Sequence, residues 1–158
     1  MAGLKRFTLI AVCALACLVP AQAAGQRVTV FGEGVYVFDE DDAGDWRAAT
    51  GLSAGLEAGG ATYRARLAVG LDAGAADGWR AEAGWLGVEG RFRFYMGAGV
   101  GEADAGDGYD TRYRVGGWWD VGSWAGAVVS VGGGALYENA VEPAGDLRPW
   151  VSAVWRGR

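Results

Sequence analysis

Hydrophobic and polar residues alternate along residues 62–72, where the pattern is clearest. Tyr63 and Leu71 fall on one parity with three apolar residues between them, whereas Arg64 and Arg66 fall on the other parity. A period of two places successive side chains on opposite faces of an extended chain. The stretch therefore predicts a β-strand with one apolar and one polar face.

The same alternation recurs along the chain and predicts eight strands. They span residues 27–38, 46–57, 61–71, 79–88, 91–101, 110–120, 124–137 and 147–156. Most are close to the roughly 9–11 residues with which a tilted strand crosses a bilayer. No segment of useful length with a helical period follows residue 26, so the predicted fold class is all-β.

The connections between these strands alternate in length. Three short ones contain glycine and are expected to be tight hairpin turns. They lie at residues 58–60, 89–90 and 121–123. The four longer connections lie at residues 39–45, 72–78, 102–109 and 138–146. Short turns at one rim and longer loops at the other predict a closed antiparallel up-and-down β-barrel of the transmembrane type.

The polar face of the strands is made of arginine alternating with very small residues, and no lysine follows residue 5. Soluble barrels bury the apolar face, whereas membrane barrels bury the polar one. A narrow eight-strand interior holds only a few large side chains, packed against small ones. We therefore expect the polar face to point inward and to form an ionic network. Its expected members are Glu33, Glu57, Arg64, Arg66, Arg80, Glu82, Arg93, Arg112, Arg114 and Asp120.

Arginines outnumber acids in this expected network. Some of them are expected to stack on Tyr95 or Trp118, to meet trapped water, or to reach an acidic rim. These contacts would fill the lumen and predict a plugged barrel in place of an open pore.

The apolar face carries small and branched residues in mid-strand and aromatic residues near the strand ends, with Trp85 as the mid-strand exception. Aromatic girdles at both edges of an apolar band are typical of membrane barrels. The residues expected at the membrane interfaces are Trp46, Tyr63, Trp79, Phe92, Trp119, Tyr137 and Trp155.

Residues 1–23 have the pattern of a secretory signal peptide. Two basic residues precede an apolar run over residues 7–19, and a small-x-small cleavage site ends at Ala23. Cleavage there would leave residues 24–158 as one β-barrel domain without cysteine. A spanning anchor would need about 20 apolar residues, more than this run provides. A lipoprotein acylated at Cys17 is an alternative with a poorly matching lipobox.

The predicted mature chain carries 12 arginines against 19 acidic residues, a net charge of −7. This sign argues against nucleic acid as a partner. Most of the acids lie in or beside the four longer connections, including Asp72 and Glu138, so the loop rim is expected to be acidic. That rim could meet an extracellular ligand or surface partner.

The sequence offers no catalytic constellation. The chain has no histidine, which excludes Ser/His and Cys/His arrangements, so no catalytic residue and no cofactor are predicted. Residues 39–45 resemble a calcium loop only superficially. Ala43 stands where the EF-hand pattern requires Asp or Asn, and Thr50 where it requires Glu, so no metal site is predicted.

The signal segment, the hairpin rhythm, the girdle residues and the last strand carry a family resemblance. The last strand reads Pro149-Trp150-Val151-Ser152-Ala153-Val154-Trp155. Together they resemble the small eight-strand outer-membrane barrels of the OmpA transmembrane domain and OmpX type, over the whole mature chain. The resemblance implies a monomer in the bacterial outer membrane, surrounded by outer-membrane lipid, with both termini in the periplasm. It also implies a non-enzymatic structural or surface-interaction role, because the histidine-containing sites of enzymatic barrels of this size are missing.

Two alternatives remain open at this point. A soluble exported barrel of the lipocalin kind would turn its apolar face inward and bind a small apolar ligand. An outer-membrane enzyme that modifies lipid would keep the membrane location but would require an active site.

Overall fold

The computed structural model describes residues 27–40, 44–73, 78–102, 109–139 and 146–157, and eight β-strands account for nearly all of them. The strands are β1 (Arg27–Glu40), β2 (Trp46–Gly59), β3 (Tyr63–Ala73), β4 (Gly78–Glu89), β5 (Phe92–Glu102), β6 (Tyr109–Trp124), β7 (Ala127–Asn139) and β8 (Asp146–Gly157). Each strand pairs antiparallel with the next, and β8 pairs with β1. The predicted fold class is confirmed: the domain is an all-β, closed, antiparallel up-and-down barrel.

Two groups of predictions lie outside the described residues. They are the signal peptide at residues 1–23 and the central parts of the four longer connections, at residues 41–43, 74–77, 103–108 and 140–145. Among the residues that the structure does describe, no helix is long and apolar enough to cross a membrane.

The register of the strands is staggered around the barrel. A path of paired residues that starts at Arg27 returns to β1 at Val37, ten residues further along. It passes through Gly59, Arg64, Leu86, Tyr95, Gly116, Gly134 and Trp150. A stagger of this kind accompanies strands inclined by about 35–45° to the barrel axis.

The β1–β8 pairing is the shortest in the barrel and ends where Val37 pairs with Trp150. The next residue of β8 toward the loop rim is Pro149, which has no amide hydrogen to donate to a neighbouring strand. Pro149 still pairs in register with Ala135 on β7. The two strands that close the barrel are therefore joined over their central parts only.

The prediction of a turn at residues 121–123 is wrong. β6 continues through these residues to Trp124, and the turn lies at Ala125 and Gly126. A β-bulge after Asp120 adds one residue to β6 relative to β7. The extra residue reverses the parity of the strand end, so Trp124 points outward and is exposed. The glycine at position 122 marks this bulge and not a turn.

Burial follows the alternation of the sequence. On β3, Arg66 and Ala68 are buried, whereas Tyr63 and Leu71 on the opposite parity are exposed. The described side chains that fill the centre of the barrel include charged residues and also the apolar core. That core consists of Phe31, Val35, Ala68, Leu86, Tyr95, Trp118, Leu136, Trp150 and Val154.

Candidate functional site in the barrel interior

A buried carboxylate, Glu33 on β1, joins two arginines from distant strands. Its Oε2 accepts hydrogen bonds from Arg66 Nη2 at 2.7 Å and Arg114 Nη1 at 3.1 Å, and its Oε1 accepts from Arg114 Nη2 at 2.5 Å. Arg66 also donates to Glu57 at 3.3 Å, and Arg114 lies 3.7 Å from a carboxylate oxygen of Glu82. Buried charges are stable only when they are paired and hydrogen-bonded. We call Glu33, Arg66, Glu82 and Arg114 the central tier.

Aromatic rings cover the flat faces of the two central arginines. The guanidinium carbon of Arg66 lies 3.8 Å from the ring centroid of Phe31, and that of Arg114 lies 3.8 Å from the ring of Trp150. Trp118 lies near both, at 4.7 Å from Arg66 and 5.4 Å from Arg114. Cation–π contacts of this kind stabilise arginine away from water. The centre of the lumen is thereby filled with alternating rings and cations.

Polar atoms of the buried rings are also hydrogen-bonded. Trp118 Nε1 donates to Ser152 Oγ at 2.7 Å, and the Tyr95 hydroxyl donates to Glu82 Oε1 at 2.7 Å. The Tyr95 and Trp150 rings occupy space that glycines leave on the inner face. A Cβ at Gly97 would overlap the Tyr95 hydroxyl, and a Cβ at Gly116 would overlap the Trp150 ring.

A second group of charged residues lies toward the short turns. Arg156 Nε donates to both oxygens of Glu57, at 2.9 and 3.1 Å, and its Nη1 donates to Ser130 Oγ at 2.6 Å. The Ser130 hydroxyl donates to Asp120 at 2.5 Å, and Arg93 donates to the two oxygens of Asp120 at 2.8 and 2.7 Å. One chain of hydrogen bonds thus connects five strands. We call Glu57, Arg64, Arg93, Asp120, Ser130 and Arg156 the short-turn tier.

A third group lies toward the long loops. Asp72 pairs with Arg80 and accepts a hydrogen bond from Arg112 at 2.6 Å. Glu138 pairs with Arg112 at 2.5 Å and with Arg148 at 3.2 Å. We call these five residues the loop-side tier.

The placement of Asp72 and Glu138 in external connections is wrong. β3 continues to Ala73 and β7 continues to Asn139, so both acids remain on the inner face of a strand. There they meet arginines from neighbouring strands. Ion pairing inside the barrel, and not solvation at the rim, therefore determines their position.

The ten residues expected on the inner face all point into the barrel, and each forms at least one ion pair with a nitrogen–oxygen distance under 4 Å. The structure divides them among the three tiers. Residues of the network that the sequence did not reveal are Asp72, Ser130, Glu138, Arg148 and Arg156. In β8 the sequence does contain a signal for the inner face, because Arg148, Ser152 and Arg156 share one parity.

The seven aromatics expected at membrane interfaces all lie on the outer face, in two belts. Trp46, Trp79 and Tyr137 lie at the loop end, and Tyr63, Phe92, Trp119 and Trp155 lie at the short-turn end. All of them except the half-buried Trp79 are exposed. Neighbouring rings contact each other within the belts: the centroids of Phe92 and Trp119 lie 6.4 Å apart, and those of Tyr113 and Tyr137 lie 6.3 Å apart.

A small cavity of about 20 Å³ lies between the central and loop-side tiers. Its lining combines Arg80, Glu82, Arg112 and Arg114 with three aliphatic side chains. This volume holds about one water molecule. Within the described part of the chain, no group of three or more acidic, histidine or cysteine residues is arranged to hold a metal ion. Of the residues 39–45 considered for calcium, residues 41–43 fall outside that part.

Comparisons with family models, with curated proteins and with solved structures found no match to this chain.

Proposed function

We propose that this chain is a non-enzymatic β-barrel of a bacterial outer membrane with a structural or surface-interaction role. The main support for this proposal is that the outer surface of the barrel is apolar and its interior is charged. Leu52 and Trp85 point outward with 73% and 66% of their surface exposed, whereas Glu57 and Arg66 point inward and are 0% and 1% exposed. In water this arrangement would be unfavourable on both surfaces. Around a barrel in lipid it is the expected one.

The dimensions of the outer face support the same proposal. On β3 the outward apolar residues run from Tyr63 to Leu71, nine residues along the strand. This agrees with the roughly 9–11 residues of a tilted membrane strand. Aromatic belts border the apolar band at both ends, as at the two interfaces of a bilayer.

The filled interior supports a role that does not depend on transport or catalysis. Three tiers of ion pairs and four large aromatic rings occupy the lumen, and the cavity between two of the tiers holds about one water molecule. The soluble lipocalin-like alternative would need an apolar interior and gains no support from this arrangement. The resemblance to the OmpA and OmpX type of barrel, an acidic external rim with a surface partner, and a monomeric state all belong to the same proposal.

Membrane fractionation tests the location. We expect the protein to remain in the envelope pellet after a high-salt wash, to dissolve only in detergent, and to migrate on a gel differently before and after boiling. Recovery in the soluble periplasmic fraction would contradict the proposal and favour the soluble alternative.

Two substitutions on one strand test the lipid contact directly. Leu52 and Ala48 both point outward from β2 and are both exposed, but Leu52 lies in mid-strand and Ala48 lies near the loop end. In a bilayer, Leu52→Arg should cost about 2–4 kcal/mol and Ala48→Arg about 0–1 kcal/mol. In a soluble barrel both would be close to neutral. Urea unfolding in lipid vesicles measures the difference, and equal effects would contradict a bilayer around the barrel.

A further inference from the structure

The short-turn end of the barrel contains more positive than negative charge. In the part of the chain that the structure describes, Arg64, Arg93 and Arg156 of the short-turn tier share two carboxylates, Glu57 and Asp120. The central tier has two arginines and two glutamates, so it supplies no surplus negative charge. The excess is a property of the interior and does not depend on what surrounds the outside of the barrel.

Arg27 increases this excess at the opening. It pairs in register with Gly59 on β2, and Gly59 pairs with Arg64 on β3. Glycine places no side chain between the two arginines. Among the described residues, Arg64 has only weak partners: its Nε donates to Gly60 O at 3.2 Å, and its Nη1 lies 3.8 Å from Glu57.

The two carboxylates are already occupied. Glu57 accepts hydrogen bonds from Arg156 and from Arg66 of the central tier. Asp120 accepts from Arg93 and from the Ser130 hydroxyl. The single negative charge of each acid is thus already paired with an arginine, so neither acid neutralises an additional cation.

Within the short-turn tier, two buried guanidinium nitrogens form no hydrogen bond among the described residues. Arg93 and Arg156 are 8% and 2% exposed, and among the described residues neither Arg93 Nη1 nor Arg156 Nη2 has a hydrogen-bond partner. A buried donor without a partner is destabilising. Each of these donors therefore favours an acceptor from outside the chain.

The guanidinium groups also lie close enough to repel one another. Arg64 and Arg156 both approach Glu57, and Asp120 and Ser130 link Arg93 to Arg156 by hydrogen bonds. Like charges held this near one another repel. An anion among them would reverse this repulsion and supply oxygen acceptors at the same time. Guanidinium groups bind phosphate and carboxylate oxygens through paired, charge-assisted hydrogen bonds.

We propose that the short-turn opening is a binding site for a phosphate-type oxyanion, held by Arg64, Arg93 and Arg156, with Arg27 at the rim. The same chemical group occurs in free phosphate and in phospholipid headgroups. Free phosphate would enter directly through the short-turn opening. A headgroup would approach over the aromatic belt at this end, near Tyr63 and Trp155.

The test measures thermal unfolding of the full chain in a neutral glucoside detergent that contains no phosphate. At constant ionic strength, replacing sodium chloride by sodium phosphate should raise the unfolding temperature by a saturable few degrees, because a ligand that binds only the folded state stabilises it. In a second arm the micelles contain phosphatidylglycerol or, as the phosphate-free control, diacylglycerol. A response to inorganic phosphate supports a free-anion site, and a response to phosphatidylglycerol alone supports a headgroup site. The proposal would be overturned if neither arm changed the unfolding temperature. It would also be overturned if added sodium chloride raised that temperature as much as sodium phosphate does.

Variants separate the site from general charge effects. Arg64→Gln removes a cation without breaking a short buried ion pair, and it should weaken phosphate binding roughly tenfold. Arg91→Gln is the matched control, because Arg91 is an exposed arginine in a short turn at the same rim. Val128→Asp places a carboxylate opposite Arg156 and should remove the phosphate response. Equal phosphate affinity in Arg64→Gln and Arg91→Gln would overturn the proposal.

Discussion

Glu33 is the residue through which most of the buried charge in the centre of the barrel is compensated. It accepts hydrogen bonds from Arg66 and Arg114, which come from β3 and β6. Both arginines are buried, so bulk water cannot take the place of Glu33 as their partner. Glu33 stabilises the fold by pairing with two buried cations as much as by accepting hydrogen bonds.

Replacing Glu33 by glutamine should therefore be strongly destabilising even though the side chain keeps its size. Glutamine removes the negative charge, and breaking a buried ion pair costs about 3–5 kcal/mol. Glu89→Gln is the control: it makes the same change at an exposed strand end and should stay within about 0.5 kcal/mol of the original protein. Urea unfolding of the three proteins under one lipid condition measures this. Similar stabilities for the two variants would show that the central tier contributes little.

Adding a methyl group at a glycine tests how tightly the interior of the barrel is packed. A Cβ at Gly97 would overlap the Tyr95 hydroxyl and approach the carbonyl oxygen of Ala83, so Gly97→Ala should lose about 1–3 kcal/mol through overpacking. Gly32→Ala is the matched control. A Cβ there meets nothing within 4 Å, and the change should stabilise the strand by about 0.5–1 kcal/mol. Opposite signs in thermal unfolding are expected, and a loss in both variants would contradict the packing argument.

At the scale of the strand, the alternation of the sequence is sufficient to predict the fold and the inner face of β2 to β5. In these strands most inner positions are charged or very small, with Leu86, Val88 and Tyr95 as exceptions, so the two parities differ clearly. The signal weakens in β1, β7 and β8, where the inner face contains Phe31, Leu136 and Trp150 as well as charged residues. Polarity cannot identify an inner face that is itself partly apolar.

The partners inside the network could not be predicted from the sequence. Arg114 and Glu33 are separated by 81 residues along the chain. They meet because of the stagger between strands, which depends on the register of every hairpin. A single bulge after Asp120 shifts that register, and alternation does not show where a bulge lies.

The β6–β7 turn offers a test of local backbone conformation. Ala125 and Gly126 both have positive φ, of 49° and 80°. A two-residue hairpin turn with positive φ at both positions prefers Asn-Gly, because the left-handed region is unfavourable for alanine. Ala125→Asn should therefore stabilise the barrel by about 0.5–1 kcal/mol, as measured by urea unfolding.

A control for this turn comes from the β2–β3 connection. Ala61 lies in a short turn at the same rim without a positive φ, so Ala61→Asn should leave the stability nearly unchanged. If both substitutions had the same effect, the left-handed conformation of Ala125 would not be the cause.

For the whole molecule, the opposite polarities of the inner and outer surfaces have a common origin in the two parities of each strand. A shift of one residue in any strand would exchange its two faces. The charged residues would then lie in the apolar band and the aromatic belts would lie in the lumen. The bulge in β6 shows how the chain avoids this at the end of a long strand, because it keeps Trp124 outside beyond Asp120.

A filled lumen predicts that the barrel does not conduct ions. Tyr95, Trp118 and Trp150 are buried across its centre together with Arg66, and the first three are within 5.5 Å of a neighbouring ring centroid. In a planar bilayer we therefore expect no large, stable single-channel conductance. The double substitution Trp118→Gly and Trp150→Gly removes two of the rings and, in protein that still shows the folded gel migration, should allow ions to pass. A large conductance of the unaltered protein would contradict the plugged barrel, because ion pairs and rings in these positions leave no continuous path for hydrated ions.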